Sequence, residues 1–404
     1  MALELNKLTK QVDVMGQALA QRRDAQRDRL ARAKEILAST PHVTAELRAK
    51  ISRAREIDQW RRGALPLGEQ LSERHRATLT PSAAILIAAD GSQIYPDRHA
   101  IVPYYLVNTG AIVLRAGSGQ APSVMSMPEI FYEEQDLYDA DGQLHPPEHV
   151  NAQRARREIR ALADLAEAER TALAGDLSRP IICLTDGPLL PWQKLDAEED
   201  APVHEEMDFF VAQMHRLRRA RAVPVGYVDR PDSAYVLRIL ELIEQPIEQI
   251  SRESLRRGSF RLLTDRLLFD DLAPNERCAL FTANSETNDR YERASGGDRI
   301  IFAYVNVARQ ADPRHSVIAR IEMPRWVADE PGLLDVVQAV VYENCVPRPY
   351  PYVLTRAHEL AVVGDAERAG FEAMLEQALL RHGMLPAVSE KAGLKALIGG
   401  RRGR

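Results

Sequence analysis

Ala83-Ala-Ile-Leu-Ile-Ala-Ala-Asp90-Gly-Ser-Gln-Ile94 is an uncharged apolar run that stops abruptly at Asp90, Gly91 and Ser92. Its length and flanks predict a buried strand, with the glycine letting the chain turn away from the sheet edge. A carboxylate at the mouth of such a strand is costly to bury alone, so it calls for a cation or a dense set of donors. The same grammar recurs in Pro180-Ile-Ile-Cys-Leu-Thr-Asp186-Gly-Pro-Leu-Leu190. Two strands that each end in Asp-Gly can bring two carboxylates to one edge of a sheet, which is how a protein holds a hard divalent cation. Either Asp-Gly taken singly is more often just a turn.

Two further residues join this pattern. Glu158 sits in the helical stretch between the strands, in Gln153-Arg-Ala-Arg-Arg-Glu158-Ile-Arg-Ala-Leu162. Leu162 and Leu165 follow it by four and seven residues, so it shares the apolar stripe and can point towards the sheet edge. His358 lies in Tyr350-Pro-Tyr-Val-Leu-Thr-Arg-Ala-His358-Glu-Leu-Ala-Val-Val363. Leu354 and Val362 flank it at four-residue spacing, which predicts an inward-facing histidine, either a hydrogen-bonded core residue or a ligand.

Around these motifs the chain reads as α/β with a mixed sheet. Residues 1–62 form an N-terminal helical segment, in which Leu5, Leu8, Val12, Met15 and Leu19 give a short coiled-coil seam. That seam serves self-association or lies on the protein's own body. Gly63 to Pro81 reads as a connector. Pro103–Arg115 reads as a strand or hairpin, Ser123–Glu133 as another strand and Glu148–Leu177 as a long helix. Glu205–Arg221 reads as a helix and Ala222–Val228 as a strand. The main domain runs from about 80 to 365, with a helical insertion at about 190–300. A C-terminal helix and the basic, glycine-rich tail Gly399–Arg404 occupy 366–404.

Composition narrows the class. The chain has 404 residues, with 53 Lys+Arg against 58 Asp+Glu, a formal charge of −5. That balance excludes a generally basic nucleic-acid coat but not a local basic groove. Three widely spaced cysteines, Cys183, Cys278 and Cys345, form no metal-ligand pattern and fit a reducing compartment. No signal core or membrane-length apolar run is present, so a soluble cytoplasmic protein is expected.

In chain order the constellation is strand-Asp, helix-Glu, strand-Asp, late helix-His, which resembles the ribonuclease H-like nuclease architecture. There a central mixed sheet and its flanking helices gather carboxylates around two divalent metals for in-line phosphodiester displacement. The sequence further resembles the NurA nucleases, partners of HerA-type DNA-translocating ATPases. The resemblance spans roughly residues 80 to 365. It is carried by Ala88-Ala-Asp90-Gly-Ser-Gln93, the Glu158 helix, Leu184-Thr-Asp186-Gly-Pro-Leu189, Ala319-Arg-Ile-Glu-Met-Pro-Arg-Trp326 and the Tyr350–His358 block.

The resemblance implies a homodimer that cleaves DNA during end processing with Mn2+ (Mg2+ as the alternative), as two ions, together with a HerA-like hexameric ATPase. Carried over, Asp90, Glu158 and Asp186 are metal ligands, and His358 is a metal ligand or a group on the scissile phosphate. Glu167 and Glu169 are competing candidates for the helix ligand. Asp229, in Tyr227-Val-Asp229-Arg230-Pro231, stays outside the core site. Arg320 and Glu322 alternate on a strand and read as a structural ion pair. Arg154–Arg160 and Arg216–Arg221 are either a DNA path along phosphates or solvated helix faces.

Two other functions compete. A phosphatase of the haloacid-dehalogenase kind needs a second Asp on its first loop, and Asp97 is too far along. A catalytically silent adaptor that clamps DNA or docks on an ATPase ring would use the N-terminal helix and the arginines. No Gly-x-x-x-x-Gly-Lys-Ser/Thr loop is present, so the chain does not power its own movement.

Overall fold

The computed structural model describes residues 5–40, 42–58, 63–97, 102–190, 201–310 and 315–384. The basic tail expected at Gly399–Arg404 lies outside them. The chain divides into two compact units. One comprises Met1–Thr80, Gly187–Leu190 and Val225–Tyr350, the other Pro81–Asp186, Pro191–Pro224 and Pro351–Arg404.

The second unit carries Asp90, Glu158, Asp186 and His358. Its central strand, Ala84–Ile94, is buried from Ala84 to Ala89, as the uncharged run requires. Removing each large apolar side chain of that run from water stabilises the fold by about 1.5–3 kcal/mol. The strand pairs antiparallel with Tyr105–Ala116, in a register that sets Asp90 opposite Gly110 and Ser92 opposite Asn108. Tyr105–Ala116 pairs antiparallel in turn with Ser123–Phe131. On its other side Ala84–Ile94 runs parallel to Ile181–Asp186. The order third, second, first, fourth is a mixed sheet flanked by helices, as the ribonuclease H-like expectation requires.

Asn108, Thr109 and Gly110 lie within one continuous strand and not at a hairpin tip, because three residues chosen for a close approach look like turn residues in sequence. The Asn108 side chain donates to the carbonyls of Leu360 and Ala361 at 3.1 and 2.9 Å, and Ser92 Oγ donates to Ala361 O at 2.5 Å. These are terminal carbonyls of the Tyr352–Ala361 helix, which have no partner of their own within the helix. Gly110 lets that helix lie directly on the sheet. A β-carbon there would meet the Ala361 backbone, and Ala357 O and Leu360 C at 2.5 and 2.6 Å.

The Pro147–Ala172 helix opens with proline in its first turn, where the missing N–H costs nothing, and packs Val150, Ile159, Leu162 and Ala166 inward. The Ala201–Arg219 helix joins it through Arg216, which donates to Asp164 and Glu167, and through Glu206, which accepts from Arg156 at 2.8 Å. The final helix, Asp365–Arg381, sets Phe371 edge-on against Tyr104 at 5.2 Å.

The first unit holds an antiparallel sheet. Gly63–Pro66 pairs with Phe281–Asn284, which pairs with Ile300–Asn306, which pairs with Ile318–Pro324. Gly226 to Val228 pair with the last of these. The expected connector at Gly63 to Pro81 therefore contains two short strands, Gly63–Pro66 and Arg74–Arg76. Three or four residues carry too little periodicity to announce a strand, and only their distant partners make them one. The 190–300 segment is likewise only partly helical, since it contributes Ala222–Val228, Glu276–Cys278 and Phe281–Asn284.

Arg320 and Glu322 form the buried ion pair expected of them, at 2.8 Å. Glu322 also accepts from Leu189 N at 2.9 Å, and Arg320 Nη1 donates to Ser233 Oγ at 3.0 Å. A guanidinium this enclosed, 4 % exposed, is out of reach of a DNA phosphate.

The N-terminal helix Thr9–Ser39 buries Ala33, Ile36 and Leu37 near its end. Leu5, Val12, Met15 and Leu19 are exposed, so the seam does not lie on the protein's own body. Among the described residues no helix is long and apolar enough to cross a membrane.

Candidate active site

Asp90 ends the buried part of its strand, and both its oxygens are engaged. Oδ1 accepts from Gly91 N at 2.8 Å, and Oδ2 lies 2.7 Å from His358 Nδ1. A carboxylate can only accept, so Nδ1 carries the proton of that bond, leaving Nε2 of a neutral ring as an acceptor. The Asp90 side chain is 20 % exposed and that of His358 67 %. The histidine thus corrects the inward-facing expectation. Leu354 is buried, but Val362 caps the helix outside it and is 45 % exposed, so the apolar stripe ends before it can enclose His358.

Glu158 comes to the same place from the helix. Gly91 supplies the space: a β-carbon there would meet Arg154 Cγ, and Glu158 Oε1 at 2.7 Å. Burial pushes the Glu158 carboxyl up to about 8. Arg154 and the Gly91 N–H pull it down, while the negative charges of Asp90 and Asp186 push it further up. Burial is the largest of these causes, although 20 % of the side chain stays exposed, and the repulsion by like charge is smaller. Asp186 is exposed at the end of its strand, and its charge reaches Glu158.

The competing helix carboxylates are occupied elsewhere. Glu167 accepts from Arg216 at 2.6 and 3.0 Å, and Glu169 accepts from Arg115 Nε at 2.8 Å. Asp229 lies exposed beyond its strand. Cys183 is fully buried, as expected of a small core residue, and burial pushes its thiol well up. Most of the Arg154–Arg160 run is engaged as well. Arg156 lies over Phe209 at 4.4 Å, and Arg157 bonds Glu129 at 2.6 Å and lies over Phe131. These contacts favour structural helix faces over an open DNA path.

Against the NurA domain the chain matches over residues 85–363, more than half its length. The chain belongs to the NurA family. Membership places it in a nuclease family, and the matched span contains all four residues of the constellation. No curated protein matches the chain. Among solved structures, the crystal structure of the NurA nuclease from Sulfolobus solfataricus is similar with a TM-score of 0.44 at 11% identity, over 83% of this NurA-family chain and 92% of that one.

The donor chemistry suits a hard divalent cation. Burial, and after it the repulsion from Asp90 and Asp186, raise Glu158, and a cation would relieve that repulsion. The arrangement is open. Among the described residues, no three or more His, Cys, Asp or Glu side chains are gathered closely enough to hold a metal ion. Sequence reasoning did not place Arg154 or Gln93 beside these carboxylates. Arg154 precedes Glu158 by four residues, a helical spacing that could have shown it. For Gln93 no signal existed.

Proposed function

We propose that this NurA-family chain is a metal-dependent deoxyribonuclease that hydrolyses phosphodiester bonds in DNA end processing, acting as a homodimer with a HerA-like hexameric ATPase. The observation that supports it is that the Asp90 and Asp186 charges both act on Glu158, with His358 hydrogen-bonded to Asp90. Carboxylates that raise one another's protonation cost stability in a metal-free protein, which a bound cation would offset.

Asp90, Glu158 and Asp186 would hold the metal, with His358 completing the set or contacting the phosphate. Divalent ions held there, Mn2+ or Mg2+ as a pair, would supply Lewis acidity to the phosphate oxygens and make water a better nucleophile. Asp90 orients His358 through Nδ1. Its Nε2 is then free to accept a proton from water or a hydrogen bond at the scissile group. Arg154 and the Gly91 N–H favour the charged form of Glu158 against its burial, and a bound cation would favour it further.

The open donor arrangement and the exposed apolar stripe of the N-terminal helix favour one second reading, a catalytically silent DNA clamp docking on an ATPase ring. Purified protein with labelled linear DNA, with manganese, magnesium or chelator, separates the two. Cleavage that needs the cation, together with a rise in melting temperature on adding it, is the expected result. DNA binding without cleavage or thermal shift under any cation supports the clamp.

A further inference from the structure

Arg154 is drawn to the carboxylates while Arg156 and Arg157, two and three residues on, are tied to acids elsewhere. Its aliphatic stem rests on Gly91, with the Cδ at 3.0 Å from where a β-carbon would stand. Nε is buried and lies 3.3 Å from Glu158 Oε1 without forming a hydrogen bond. Nη1 donates to Gln93 Oε1 at 3.1 Å. Gln93 is itself held, because its Nε2 donates to Tyr95 Oη at 2.8 Å, and Tyr95 Oη donates to Asn151 Oδ1 at 2.7 Å. A chain of polar side chains from the Glu158 helix and the Asp90 strand thus fixes one edge of the guanidinium. The side chain as a whole is 35 % exposed.

Without a metal the acidic groups repel a phosphodiester, and Arg154 is a cation fixed beside them. A guanidinium pinned on one edge loses little freedom when its remaining donors meet phosphate oxygens. We infer that Arg154, steadied by Gln93, Tyr95 and Asn151, is a phosphate-contacting residue of the catalytic centre, gripping a DNA backbone phosphate beside the scissile bond. This rests on the nuclease reading for its location, while the contact itself is measurable without cleavage.

The test uses full-length protein with Arg154→Met, Arg154→Lys and Gln93→Ala. Methionine keeps an unbranched stem over Gly91 and removes the charge. Binding of labelled linear duplex is followed by anisotropy in chelator across a salt series, and KM and kcat are measured with manganese. Arg154→Met should weaken binding about tenfold and reduce the log–log salt slope by about 0.9, the value of one phosphate contact. Its melting temperature should stay near wild type. Arg154→Lys should restore the slope but only part of the affinity, and Gln93→Ala should raise KM with the slope kept. Wild-type affinity and slope in folded Arg154→Met overturn the inference. A shift confined to the manganese requirement also overturns it, by reducing Arg154 to a counter-charge for Glu158. Should the wild type bind DNA but never cleave it, the nuclease reading fails alone, and the salt slope still decides the contact.

Discussion

A side chain on Gly110 would collide with the backbone of Ala361, and Gly110 is the residue paired with Asp90 across the sheet. The helix that carries His358 therefore rests on bare backbone at the level of Asp90. That closeness allows a bond between residues 268 apart in sequence.

Gly110→Ala should lift this helix from the sheet. The expected loss is about 1–3 kcal/mol of stability from overpacking, seen by urea unfolding, with cleavage falling further than stability because His358 leaves Asp90. An unchanged unfolding midpoint would show that the helix accommodates the methyl by sliding.

Asp90→Asn and His358→Gln test the pair directly. Asp90→Asn removes one of the charges that repel Glu158, so the metal-free variant should be as stable as wild type or slightly more so, while cleavage is abolished. His358 is exposed, so His358→Gln should change stability by less than about 0.5 kcal/mol and still depress cleavage strongly. Wild-type rates in either folded variant would remove that residue from the site.

Glu158 gives a pH signature in chelator. Its carboxyl is raised from 4.5 to about 8, so between those values the folded state holds the proton more tightly than the unfolded chain. Stability from this group is complete below pH 4.5 and is lost as pH rises towards 8. Glu158→Gln should match wild type near pH 4.5 and exceed it at pH 9 by ~1–3 kcal/mol. Parallel stability curves for the two proteins would contradict this.

Glu69 should show the opposite slope. Burial alone would raise its carboxyl, but the Arg277 guanidinium, bonded at 2.9 Å through both nitrogens, together with the Leu280 N–H, holds it below the ordinary 4.5. Its contribution is present above pH 4.5 and disappears as pH falls through the lowered value. Glu69→Ala leaves a nearly enclosed arginine without its partner, at a cost of about 3–5 kcal/mol near neutral pH that shrinks in acid. A calorimetric melting series across pH 2–7 would reveal it.

The sequence by itself determined the Asp90 and Asp186 strands, the Glu158 and His358 helices and the mixed α/β class from their apolar runs, but not the end of the Asp90 strand, which continues through Gly91 to Ile94 because it stays paired with Leu106–Thr109. It also determined the Arg320–Glu322 pair, since two residues apart on a strand must share a face. Tertiary structure alone decided the rest. Gly63–Pro66 became a strand through Phe281–Asn284, more than 200 residues away, and Asn108-Thr109-Gly110 became a helix seat instead of a turn. His358 turned outward because burial depends on what packs against a helix, and its own stripe stops at Ala361. Only the folded chain shows that Arg216 stands opposite Glu167 and Arg115 opposite Glu169. That is a property of three-dimensional neighbours, which helical spacing within a single chain does not encode.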